Sequence, residues 1–236
     1  MKYTKRFDGR AYEDLRPFSA RVGVVKNANG SAEFQIGKTI AIAAVYGPRD
    51  LFPKFLQDPT KGILRCNYNM MAFSGSGERV RPGGNRRSKE IGMVIEKAFE
   101  SVINLNDFPK AVVRVYIELL QTDSGTRCAG ICAASLALAD AGFEMKDLVA
   151  AVSCGVVGGQ AVVDLDKAEE DFEGGSVDIP IAILPRTGEI TLLQLDGEIA
   201  KDDLKKALEL GRDACKKIYE VQRAALRAKY TQEAVA

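Results

Sequence analysis

Histidine is missing from all 236 residues, and so is tryptophan. With no imidazole, the chain lacks the commonest general base, the commonest metal ligand and every Ser-His or Cys-His nucleophile system. Acid–base work falls to carboxylates, or the reaction must need little of it. The five cysteines (Cys66, Cys128, Cys132, Cys154 and Cys215) contain no CxxC pair. Cys128 and Cys132 share a helix face, but two thiolates alone make a poor zinc site, so all five are expected as small buried core residues. An odd count with no secretory signal in MKYTKRFDGR points to a reducing cytosol and a cytoplasmic location. No apolar run approaches the roughly 20 residues that span a bilayer. Charge imbalance is absent too, with 33 Lys and Arg against 32 Asp and Glu. Any nucleic-acid contact must therefore come from a local cluster.

What is present reads as an α+β chain. Residues 21–47 alternate between apolar and polar stretches, ARVGVV, SAEFQI and KTIAIAAVYGP, with NANG (27–30) as a hairpin turn between the first two. Residues 48–87 are irregular and rich in Arg, Gly and Pro, with one strand expected around Leu64–Met71. A helix is expected from Ser88, as its cap, to a stop before Pro109. VVRVYIELLQ (112–121) alternates as a strand. AGICAASLALADAG is apolar on nearly every side and reads as a buried helix ending at Gly142. LVAAVSCGVV, QAVVDL, VDIPIAIL and EITLLQL form a second run of strands, separated by turns such as DKAEEDFEGGS. A helix from about Lys201 to Tyr230 follows, with TQEAVA as a frayed tail. Strands followed by helices, twice over, place a boundary near residue 148, between halves 1–148 and 149–236.

Five segments could carry chemistry. AEFQIGKT (32–39) imitates a phosphate-binding loop, but its first glycine is replaced by Ala32 and a strand, not a helix, follows. A glycine turn between strands is the better reading. SGTR (124–127) is stronger, because a strand, a glycine turn and a buried helix aim backbone N–H groups at one point, to which Thr126 adds a hydroxyl and Arg127 a fork suited to phosphate. ERVRPGGNRRSKE crowds Arg79, Arg81, Arg86, Arg87 and Lys89 before a helix, against the helix dipole, which suits a polyanion partner. LRCNYNM sets Arg65 and Tyr68 close in sequence, suited to one phosphate and one stacked base if the ring is exposed, or to a core tyrosine if it is not. Asp178 opens a strand and Asp171 lies in the acidic turn before it. Such carboxylates could bind Mg²⁺ or serve as general acid.

FDGRAYEDLRP, GSAEFQIGKTIAIAAVYGPRD, LRCNYNM, RPGGNRRSKEIG, QTDSGTRCAGICAASLALADAG and AAVSCGVV…VVDLD, in that order from about Arg6 to Tyr230, strongly resemble the ribonuclease PH family. VYGPRD and LQTDSGTR are most similar to the active ring subunits of archaeal exosomes. The resemblance implies a ribonuclease PH fold of two related βαβα halves, like the second domain of ribosomal protein S5. It also implies phosphorolytic 3′→5′ degradation of single-stranded RNA to nucleoside 5′-diphosphates, with inorganic phosphate as co-substrate and Mg²⁺ or Mn²⁺ as metal. The partners it implies are an inactive paralogue, in a hexameric ring of three heterodimers, and RNA-binding cap proteins. Carried onto this chain, the family's phosphate-binding triplet matches Gly125, Thr126 and Arg127, and its paired RNA-binding arginines match Arg86 and Arg87. The channel-neck arginine and stacking tyrosine match Arg65 and Tyr68, and the catalytic aspartate matches Asp178. The second aspartate, a possible metal ligand with Asp178, matches Asp171. The family has one residue fewer between the two, which leaves Glu170 open as its equivalent. Asn67 stands where relatives often carry a basic residue. The competing readings are a catalytically silent RNA-binding ring subunit and a bacterial-type enzyme trimming transfer-RNA 3′ ends. Retention of Asp178 and Arg127 argues against the first.

Overall fold

The computed structural model describes residues 3–77, 81 and 84–233; Arg79 of the basic loop lies outside them. Strands β1 (Phe18–Val22), β2 (Gly30–Ile36), β3 (Thr39–Asp50), β4 (Ile63–Met70) and β5 (Ala111–Gln121) form one sheet in the order β1-β2-β3-β5-β4. Every pairing in it is antiparallel except β4 with β5. A second, antiparallel sheet holds β6 (Ala150–Val157), β7 (Gln160–Val163), β8 (Ser176–Leu184) and β9 (Glu189–Leu193) in the order β7-β6-β8-β9. The helices are α1 (Arg86–Glu100), α2 (Thr126–Asp140), the short α3 (Lys167–Glu170) and α4 (Lys201–Glu233).

The apolar periodicities dictate this arrangement. Leu64, Cys66 and Tyr68 of β4 and Val113, Val115, Ile117 and Leu119 of β5 alternate into one buried face, on which α1 and α2 pack. Helix α2 has almost no exposed side, and it lies against β2 and β3 of the first sheet and β6 of the second. The core is consequently continuous across both halves. All five cysteines are free and buried, as expected. Among the described residues no helix is long and apolar enough to cross a membrane.

Local expectations needed correction in four places. Asn85, not Ser88, caps α1: its side chain accepts from the Ser88 N–H at 2.6 Å, and Ser88 lies inside the first turn. NANG is not a tight hairpin loop, because Val22 pairs with Ala32 and the connection runs from Gly23 into the start of β2. The last helix continues to Glu233, beyond the start of the expected frayed tail. The acidic turn holds α3, nucleated by a capping box in which Asp166 and Glu169 satisfy each other's backbone N–H groups.

The amino-terminal segment threads under α3. Arg6 donates twice to Glu169, at 2.8 and 2.7 Å, and to the carbonyls of Val163 and Asp164 at 2.8 Å, with both charged side chains fully buried. Tyr3 donates to the same carboxylate at 2.6 Å, and burial first, then that bond, pushes the Tyr3 hydroxyl up. Such a pair is stabilising only while both members remain. Arg6→Met is expected to cost about 3–5 kcal/mol in urea unfolding by stranding Glu169. Adding Glu169→Met should recover part of that loss, and additive losses would show that the pair is not coupled.

Candidate active site

The turn between β5 and α2 is strained and held from behind. Ser124 and Gly125 both have left-handed φ, 61° and 64°, a conformation that costs a serine about 1–3 kcal/mol. The Thr39 hydroxyl donates to the Ser124 carbonyl at 2.8 Å and accepts from the Asp123 N–H at 2.9 Å. Thr39 is the residue that gives AEFQIGKT its phosphate-loop look. It stands at the start of β3, after a β2–β3 turn at Gly37, as the strand reading requires.

No side chain caps α2, so its first N–H groups are available to a ligand. Ser124 Oγ and Arg127 Nε are buried there without a hydrogen-bond partner among the described residues. The Tyr68 hydroxyl, buried beside Thr126, faces the same cleft. Two buried donors left open, among the described residues, around an uncapped helix start describe a preformed anion cradle. It opens into a cleft of about 370 Å³ whose lining includes Ser124, Gly125, Thr126 and Arg87.

A second cleft, of about 580 Å³, shares Arg87, Lys167 and Glu170 with the first and adds Arg127, Asp178 and Asp196. Asp178 lies near the start of β8 and accepts a short hydrogen bond from Ser153 of β6. Burial pushes its carboxyl above the usual carboxylate range. The Ser153 bond and Arg127 oppose that rise, and Glu170 and Asp196 add to it. A carboxyl held toward its protonated form beside a phosphate cradle can donate a proton to a leaving oxygen.

The structure brings together most, but not all, of the expected residues. Gly125, Thr126, Arg127, Arg87, Tyr68, Asp171 and Asp178 line one or other of the two clefts, whereas Arg86 and Arg65 line neither. Of the two readings of Tyr68 the core one holds, although its ring edge still lines the smaller cleft. Residues three apart on a strand face opposite ways, so Tyr68 points into the core, only 4% exposed, while Arg65 sits on the other face, in register with Arg114 of β5. Asp171 is 63% exposed at its side chain and is drawn to Lys167 at 2.6 Å. Glu170, lining both clefts, is the acidic neighbour with the largest effect on Asp178. Sequence reasoning missed Lys167, Ser153 and Asp196. The Asp-x-x-Glu spacing at 166–169 was the available signal for Lys167, since it marks the start of a helix. Ser153 and Asp196 reach the site only through strand pairing with β8 and carry no local mark.

Residues 14–144 match domain 1 of the 3′ exoribonuclease family and residues 147–214 match its domain 2. The chain belongs to the ribonuclease PH family. Its activity is that of a phosphorolytic 3′→5′ exoribonuclease. Among ribonuclease PH relatives, the exosome complex component Rrp41 of Thermococcus kodakarensis is 51% identical over 96% of this chain and 90% of its own length. The Rrp41 of Methanopyrus kandleri is 46% identical over 95% of this chain and 93% of its own. The crystal structure of rice Rrp46 superposes with a TM-score of 0.81 at 28% identity, covering 94% of this chain and all of that one. The α+β ribonuclease PH fold expected from the sequence is thereby shown.

The Ser153 bond favours the ionised form of Asp178, so removing it should raise that carboxyl further. In Ser153→Ala, the pH profile of kcat/KM is expected to keep its shape while its alkaline limb moves to higher pH. An unmoved limb would mean that Asp178 is not the group titrating there.

Proposed function

We propose that the chain is the catalytic ring subunit of an archaeal exosome, working in the cytoplasm. Its ring would be a hexamer of three heterodimers with an inactive paralogue, fed single-stranded RNA through RNA-binding cap proteins. The observation that carries the chemical reading is the set of partnerless buried polar atoms, Ser124 Oγ and Arg127 Nε, at the uncapped start of α2. The exosome assignment is supported by the Rrp41 relatives, which match nearly the whole chain.

In this reading Gly125, Thr126 and Arg127 hold inorganic phosphate, and Arg87, with Arg86 beside it, holds the phosphates at the RNA 3′ end. Arg65, on the opposite face of the first sheet, grips RNA farther along its path. A phosphate oxygen attacks the phosphorus of the last phosphodiester. The bond from phosphorus to the 3′ oxygen of the preceding nucleotide breaks, and that oxygen takes the proton of Asp178. The product is a nucleoside 5′-diphosphate, and the reverse sequence extends RNA from diphosphates. Since the nucleophile is already an anion, no base is needed, in keeping with a chain without histidine. What the protein supplies is the alignment of two anions against their repulsion.

Among the described residues, no three acidic or sulfur side chains gather to hold a metal. The donors present fit Mg²⁺ or Mn²⁺ in the mode that uses one or two carboxylates together with phosphate oxygens; Asp178, then ionised, and either Glu170 or Asp171 would be the protein ligands, and the metal would take the place of the proton from Asp178. A metal bound there would stabilise negative charge on the phosphate oxygens. Glu170 lines both clefts, whereas Asp171 lines only the one with Asp178 and is drawn to Lys167, which supports Glu170 as the second carboxylate. The two halves are drawn at 1–148 and 149–236, with the cradle on the first and Asp178 on the second.

Assembled with its partners, the chain should degrade single-stranded RNA only when inorganic phosphate is supplied, releasing diphosphates. Nucleoside monophosphates formed in phosphate-free buffer would rule the mechanism out. Asp178→Asn should lower both degradation and tailing by at least about a hundredfold. Of the flanking pair, Glu170→Gln is expected to slow the reaction and Asp171→Asn to leave it near normal, and the opposite order would return the role to Asp171.

A further inference from the structure

Arg16 takes no part in the chemistry above, yet it is only 6% exposed and reaches the cradle from beneath. Its Nε and Nη2 donate to the two carboxylate oxygens of Asp164 at 2.9 and 2.6 Å, and its own backbone N–H donates to the same carboxylate at 2.8 Å. Its Nη1 donates a short hydrogen bond to the Asp123 carbonyl and lies 3.7 Å from the Asp123 carboxylate. The Arg16 side chain packs directly against the β2–β3 turn and touches Gly125. A Cβ on Gly37, at φ 55°, would lie 2.5 Å from Arg16 Cδ, and one on Gly125 would lie 3.5 Å from Nη2. The glycine turn that imitates a phosphate loop is thus the lid over this arginine.

The placement is asymmetric in a useful way. Asp164 belongs to the second half, is 1% exposed, has a left-handed φ of 55° and stands two residues before Asp166, the cap of α3. Asp123 belongs to the first half and immediately precedes the strained Ser124. A single fork therefore ties the segment carrying Lys167 and Glu170 to the turn that presents the first N–H groups of α2. Thr39 holds the same turn from the other side, so losing the Arg16 bond to the Asp123 carbonyl would loosen Ser124 and let the first N–H groups shift without releasing the turn entirely.

We propose that Arg16, locked on Asp164, is a positioning residue for the attacking phosphate, fixing Asp123 to Gly125 so that the cradle is formed before phosphate arrives. This rests on the reading of Ser124 to Arg127 as the phosphate-binding turn. Arg16 touches no substrate, and its effect is transmitted through the Asp123 carbonyl.

The test uses the chain assembled with its exosome partners, degrading a defined single-stranded RNA while inorganic phosphate is varied. Arg16→Lys keeps the charge and loses the fork, and Asp164→Asn keeps the shape and loses the charge. Each should raise the KM for phosphate about tenfold or more, since small misplacements of a bound group carry large kinetic penalties. The kcat at saturating phosphate should stay within about threefold, and RNA affinity in phosphate-free buffer should not change. A purely structural role would lower kcat through loss of folded complex and leave the phosphate KM alone. Wild-type phosphate KM in both folded variants overturns the proposal. Should neither assemble, Gly37→Ala presses on Arg16 from the surface turn, and its phosphate KM decides instead, raised in support or unchanged in refutation. Arg127→Lys runs alongside. If its phosphate KM rises while the Arg16 variants stay normal, only the positioning role falls. If it too is unchanged, the phosphate-binding turn itself is misassigned.

Discussion

A helix without a polar side has to be covered all round, and α2 imposes that demand on the whole chain. One sheet can cover only part of it, so the second sheet must close over the rest, and the core runs unbroken through both halves. The amino-terminal end of such a helix is then held deep between the halves, where the field of its unpaired N–H groups is least screened by water. The anion cradle follows from burying this helix. Asp178 arrives from the opposite side, on β8, because that strand pairs with β6, which lies against α2. Two groups far apart in sequence meet because both are referred to the same buried rod.

Much of this was legible in the amino-acid order. The glycine turn followed by an unbroken apolar run located α2 and its open end to within a residue or two, and the alternating segments marked both sheets. What escaped has identifiable physical causes. Arg65 and Tyr68 look like a pair on paper, but a period of two sends them to opposite faces of β4. The acidic turn hid α3, because the density of carboxylates drew attention from the capping box that organises it. The link from Arg16 to Asp164 spans 148 residues, and no local pattern encodes a contact of that range. Ser153 and Asp196 are of the same kind, defined by register alone.

The buried charges also separate two tasks. Arg6 and Glu169 saturate each other and leave little capacity for a ligand, as expected of a fastening. Arg127 is the reverse case, with a buried Nε unpartnered among the described residues and a place in the lining of the Asp178 cleft. Full satisfaction beneath α3 and deliberate incompleteness above the cradle are what a preorganised anion site requires. Donors fixed in place by the fold need no rearrangement when an anion arrives.

Dividing the reacting parts between two halves of one continuous core has a consequence for failure. Opening the core separates the turn at Ser124 to Arg127 from Asp178 in the same motion. A damaged or partly unfolded molecule therefore does not drift into a cruder, water-using nuclease, because its nucleophile is not solvent and must itself be held. For an enzyme surrounded by the RNA that its cell depends on, loss of structure ends in silence and never in indiscriminate cutting.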